Sequence, residues 1–148
     1  MDWIEIKDQS DINDLLEYFG YFHDGCLREM YMWTGTYVKE NLSMVVPGAL
    51  DTNVRMLFQR QFSNPSAIEL LFEHVTGIQI IPSPENYDSI IQDAIIRKLE
   101  DTFYWADGYD WHPIENPDAC SNWISAKKKK WREVNHWMGK QNRYALGK

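Results

Sequence analysis

Tyr21-Phe22-His23-Asp24-Gly25 sets an imidazole beside a carboxylate. Such a pair can hold a proton near neutral pH or supply two ligands to a metal. Neighbouring side chains of an extended strand point to opposite faces, so both serve one centre only if the backbone turns there. Gly25 permits that turn. A second set lies in Trp105-Ala106-Asp107-Gly108-Tyr109-Asp110-Trp111-His112. Asp107, Asp110 and His112 are oxygen and nitrogen donors on a Gly-containing loop, with Trp105 and Trp111 as aromatic surfaces beside them. The order of ligands and the absent closing Glu exclude an EF-hand. The absence of paired Cys or His exclude a standard zinc motif. If the two sets met across the fold they would form a mononuclear centre, the basis of a small metal-dependent enzyme. Taken singly, each is better read as structure. Asp24 would cap a turn, His23 would bond the backbone, and residues 107–112 would form a loop.

A third constellation is Lys127, Lys128, Lys129, Lys130 and Arg132, interleaved with Trp123, Trp131 and Trp137. Lysines on a strand most often protect a sheet edge and face water. Beside aromatic rings they could also track a phosphate backbone, which makes a nucleic-acid contact the second alternative function. The charge of the chain is divided accordingly. Residues 127–148 hold eight basic residues and one acidic, a charge of +7, and residues 1–126 hold seven basic and 21 acidic, a charge of −14. The sum is −7, which disfavours a dedicated nucleic-acid binder.

Other chemistries find no support. The eight glycines are scattered and form no phosphate loop, and there is no Gly-x-Ser-x-Gly elbow. Cys26 reads as a core thiol, His74 as a sheet residue and His136 as an exposed one. No residue is assigned a catalytic or metal-binding role, and no cofactor is expected. Two cysteines, Cys26 and Cys120, fit reduced thiols in the cytoplasm. No run approaches the length of a membrane span and the N-terminus is not a signal peptide. No membrane association is expected.

The elements that must position these residues follow from periodicity. Ile12, Leu15, Leu16 and Phe19 recur at i, i+3, i+4 and i+7, one face of a helix, with Ser10 or Asp11 as its cap and Gly20 as its stop. Around it the period is two. Runs at 3–6, 27–33, 42–46, 54–62, 68–73 and 78–80 read as strands, with Gly77 as a turn. Residues 89–100 fit a helix or the first arm of a hairpin around Glu100-Asp101, and the hairpin is preferred. A last strand runs from about Ser121 into the lysines. The fold class expected is α+β, an antiparallel sheet of about six to eight strands, curled or sandwich-like, with one N-terminal helix. Residues 1–137 form one domain and 138–148 a basic tail. The expected inner face holds Leu27, Tyr31, Met56, Phe58, Ile68, Leu70, Phe72, Ile78 and Ile80.

Phe22-His23-Asp24-Gly25-Cys26-Leu27-Arg28-Glu29, Phe58-Gln59-Arg60-Gln61-Phe62, Ile68-Glu69-Leu70 and Tyr104-Trp105-Ala106-Asp107 carry a resemblance. The chain resembles a family of short bacterial proteins with a Phe-His-Asp-x-Cys-Leu-x-Glu motif, to which no activity is assigned. In size and composition it is similar to proteins found beside toxin genes, some of which act as immunity proteins. Without a complete catalytic set, the expectation is a non-catalytic protein-binding module. Its acidic body would meet a cationic protein partner. The aromatic density makes a homodimer a further expectation.

Overall fold

The computed structural model describes residues 2–141 and 144. In chain order the elements are β1 (Ile4–Ile6), α1 (Gln9–Tyr18), a 3-10 turn (Gly20–Phe22), β2 (Gly25–Thr34), β3 (Tyr37–Val38), β4 (Met44–Val45), β5 (Thr52–Arg60), β6 (Ala67–Gln79), β7 (Ile90–Ile91), β8 (Ile95–Leu99), β9 (Thr102–Ala106) and β10 (Trp123–Glu133). All pairings are antiparallel, as the short intervals between strands require. Eight strands form one curled sheet in the order β7-β2-β5-β6-β10-β9-β8, with β1 on the far half of β10. β3 and β4 pair separately. The expected α+β class holds, and among the described residues no helix is long and apolar enough to cross a membrane.

Helix α1 starts one turn earlier than its apolar stripe suggests. Its cap is Asp8, not Ser10 or Asp11. Asp8 Oδ1 accepts from the Asp11 amide at 3.0 Å, and Asp11 Oδ2 accepts in return from the Asp8 amide at 3.4 Å. Reciprocal capping of this kind satisfies two free amides at once. Ile12, Leu15, Leu16 and Phe19 are buried on the concave face with Met56, Phe58, Ile68, Leu70 and Phe72. Arg60 ends β5 with its guanidinium 4.7 Å from the Phe19 ring.

Three assignments change. Tyr31 is not on the inner face. A bulge between Leu27 and Glu29 shifts the alternation, so Met30 and Met32 face the concave side opposite Met56 and Val54 while Tyr31 stands opposite Arg55. Gly77 is not a turn but lies within β6, which runs unbroken for 13 residues. A Cβ at Gly77 would come within 2.9 Å of the Trp123 ring, and that crowding explains the glycine. Ile78 and Ile80 lie near the far end of this strand, each more than a third exposed. Residues 95–106 form the hairpin.

The two edges of the sheet are joined by only three residues. β7 pairs with β2 at one edge, and β8 pairs with β9 at the other. Residues 92–94 therefore cross from edge to edge and close the sheet at that end. The opposite face of the sheet carries a second cluster of Leu57, Ala67, Val134, Trp137 and Tyr144. The segment read as a tail is docked over its described part. Arg28 Nη2 donates to the Lys140 and Gln141 carbonyls, and the Tyr144 amide donates to Glu29 at 2.7 Å. The bulge turns Arg28 and Glu29 together toward this segment.

Candidate functional site

His23 sits beside the closure. It lies within a turn in which Gly20, Tyr21, Phe22 and Asp24 all have φ between 56° and 61°. For non-glycine residues this costs roughly 1–2 kcal/mol each. Phe22 secures the turn by burying its ring against Phe19, Phe58 and Trp105. The Asp24 amide donates to the Ile91 carbonyl, and the Ala94 amide donates to the Tyr21 carbonyl. His23 Nδ1 lies 2.5 Å from the Gln92 carbonyl oxygen and 3.5 Å from Asp93 Oδ1, and Nε2 lies 3.5 Å from Asp24 Oδ2. The expected turn is there, and His23 clasps the crossing strand.

The hydrogen bond to Gln92, followed by Asp24 and Asp93, raises the His23 pKa above 6.5. A raised histidine pKa stabilises the folded chain fully below the unfolded value, and that contribution is lost as pH rises through the folded one. An NMR titration should place the His23 midpoint above 6.5, and His23→Gln should remove the pH dependence of stability in that window. A midpoint at or below 6.5 would show that the clasp does not form.

The second set is also held by its own backbone. Asp107 Oδ1 accepts from the Ser121 and Asn122 amides at 2.9 and 3.0 Å, and Oδ2 accepts from Asn122 Nδ2. A Cβ at Gly108 would lie 1.9 Å from the Ala119 carbonyl oxygen, so this close approach demands glycine. His112 Nδ1 accepts from the Ile114 and Glu115 amides, both at 3.1 Å. Trp111 is buried, stacks on Trp123 and donates to the Pro117 carbonyl. Trp105 is core, and Asp110 serves through its carbonyl, which accepts from Asn116 Nδ2. The two loops touch through Tyr21 and Tyr109, whose rings are 6.1 Å apart. Their donors do not gather. Among the described residues no three His, Cys, Asp or Glu side chains converge to hold a metal.

The basic run divides into separate environments. Lys127 pairs with Asp101 at 3.0 Å and Lys130 with Glu73 at 3.4 Å. Arg132 pairs with buried Glu69 at 2.9 Å, and Lys129 is wholly buried. Only Lys128 of the five is exposed. The five cations do not form one patch.

What sequence reasoning missed is a cleft at the closed end, about 640 Å³ in volume. That is within the usual range for ligand sites. Ile80, Ile81, Pro82, Asp88, Ile90, Asp107, Asp118 and Cys120 are among the residues that line it. The Ile81 amide donates to Asn122 Oδ1, and Gln79 Nε2 donates to the Ser121 carbonyl, which ties residues 79–81 to 121–122. No Lys, Arg or His among the described residues lines it. Burial, helped by Asp107, pushes the Cys120 thiol up to about 12, which disfavours the thiolate. One signal was available. Arg97 and Lys98 are the only Lys or Arg between Arg60 and Lys127.

The fold and cleft define a small curled-sheet protein with an acidic depression of mixed polar and apolar lining. Comparisons with family models, with curated proteins and with solved structures return no match.

Proposed function

We propose that the chain is a non-catalytic protein-binding module that receives a cationic partner at its closed end. The cleft carries this reading. It joins the Asp88 and Asp118 carboxylates to exposed isoleucines, with no cation among the described residues in its lining. Asp24, Asp93, Asp110 and Glu115 add negative charge on the adjoining turns. A lysine or arginine of a partner would meet carboxylates there, and its stem would lie on Ile80, Ile81 and Ile90. His23, Asp107 and His112 are each held by backbone groups, which favours binding over catalysis. An immunity-type protein acting on a basic toxin would need such a surface.

Affinity capture from native extract tests this when salt and charge are varied together. The expected result is a basic protein that is retained at low salt, released as salt rises and lost with Asp88→Lys/Asp118→Lys. Capture indifferent to both changes would overturn the reading.

A further inference from the structure

The cleft draws five consecutive residues of its lining, Asp88 to Gln92, from one short segment. Residues 80–90 are all exposed, and regular pairing within 88–94 is limited to β7, two residues long, on Gly25 and Cys26. Asp88 Oδ1 accepts from the Ile90 amide at 2.9 Å, so its carboxylate follows the segment. Three bonds from the 20–24 turn hold that segment in place. The Asp24 amide donates to the Ile91 carbonyl at 3.0 Å, and the Ala94 amide donates to the Tyr21 carbonyl at 2.8 Å. These are main-chain bonds that any residue at position 23 permits. The third belongs to a side chain, His23, whose Nδ1 lies 2.5 Å from the Gln92 carbonyl oxygen. Asp93 and Asp24 stand 3.5 Å from its two nitrogens and keep the ring between turn and segment. His23 itself is not among the residues that line the cleft. Tyr21, Phe22 and Asp24 all carry positive φ, and such conformations persist where the surroundings over-determine them, often beside a binding site.

We propose that His23 is a positioning residue for the cleft: it sets the Asp88–Gln92 wall, and the Asp88 carboxylate with it, without touching the partner. The inference rests on the reading of the cleft as a site for a cationic partner. A wall already held in its bound position loses less binding energy to ordering when the partner arrives. The charge of His23 and its clasp predict opposite signs. As a cation beside an acidic cleft, the imidazole would oppose a lysine or arginine, and its removal would tighten binding. As a clasp it favours binding, and its removal weakens it.

Titration of the isotope-labelled full chain with acetyl-tetraarginine amide at neutral pH and low salt, followed through the amide NMR shifts, tests the proposal. In the wild type the shifts should centre on Ile80, Ile81 and Ile90. His23→Ala should raise the dissociation constant about three- to tenfold, the usual range for one lost hydrogen bond. His23→Asn, whose side-chain amide can still donate to the Gln92 carbonyl, should return it to within about twofold of wild type. If His23→Ala does not fold, hydrogen exchange on the wild type replaces it. By reciprocity the bound peptide should slow exchange at the Asp24 and Ala94 amides. Binding that is unchanged or tighter in His23→Ala, His23→Asn that does not recover, or exchange that ignores the peptide would overturn this inference alone. A wild type that does not bind the peptide, or binds it away from the cleft, would overturn the cleft reading and this inference with it.

Discussion

Glu69→Ala is expected to destabilise the fold by about 3–5 kcal/mol at neutral pH, because it strands two guanidiniums inside the protein. Glu69 is 1% exposed. Its Oε2 accepts from Arg55 Nε at 2.9 Å and its Oε1 from Arg55 Nη2 at 2.6 Å, a two-point fork. Oε1 also accepts from Arg132 Nε at 2.9 Å. Arg132 Nη2 lies equally close but off the hydrogen-bonding direction, so that contact is Coulombic only. The Trp3 ring covers both guanidiniums, with Arg132 at 4.5 Å and Arg55 at 5.6 Å from its centroid, and Trp137 flanks Arg132 at 5.3 Å.

Exposed ion pairs are worth about 0.2–1 kcal/mol because water competes for both partners. Here water is excluded, and the carboxylate is the shared acceptor of two cations. Glu69 stands on β6, Arg55 on β5 and Arg132 on β10, so its loss loosens three adjacent strands. Urea unfolding of wild type and variant checks this through the midpoint. A loss of less than about 1 kcal/mol would mean that the cluster is solvated like a surface pair. Arg132→Met should cost less than Glu69→Ala, because Arg55 still neutralises the carboxylate.

Much of this architecture was legible in the sequence. The spacing of Ile12, Leu15, Leu16 and Phe19 marks the helix, and Glu100-Asp101 between two apolar runs marks the hairpin. The helix start was not legible, because Asp8, Ser10 and Asp11 all offer cap oxygens. The bond that Asp8 Oδ1 accepts from the Asp11 amide, with the one the Asp8 amide donates in return to Asp11, selects among them. Bulges are equally silent. Arg28-Glu29 reads as ordinary alternation, yet the bulge there reverses which of Tyr31 and Met32 faces the core. The His23 turn was found as a turn but not as a clasp, since its partners Gln92 and Asp93 lie 69 and 70 residues away. Asp107 drew attention as a ligand, although its oxygens are filled by amides 14 and 15 residues on. Composition records residue types, whereas the occupancy of their atoms depends on contacts far along the chain.

The lysine run shows the same limit most sharply, and it carries the other large expected effect. Lys129→Met should stabilise the fold, on the order of 1–3 kcal/mol, the usual cost of an unsatisfied buried polar group. Ile124 and Ala126 point into the core, and so do Lys129 and Trp131. The odd interval between Ala126 and Lys129 shows that the alternation slips within the run, beside His74 with φ 56° on the neighbouring strand. That slip carries one lysine of four inward. Its Nζ has no hydrogen-bond partner and lies 4.8 Å from the Phe72 ring centroid. A protonated amine over that ring would gain about 2 kcal/mol. Desolvation is the stronger effect and drives the Lys129 pKa well below 10.5, so the amine tends to neutrality. The unfolded chain then holds a proton that the folded chain lacks, at every pH between the depressed value and 10.5. Stability therefore rises with pH through that window. Methionine has a similar length, needs no partner and does not titrate. Lys129→Met should both raise the unfolding midpoint and flatten its climb toward alkaline pH. A variant with unchanged stability and an unchanged pH slope would show that the amine reaches water after all.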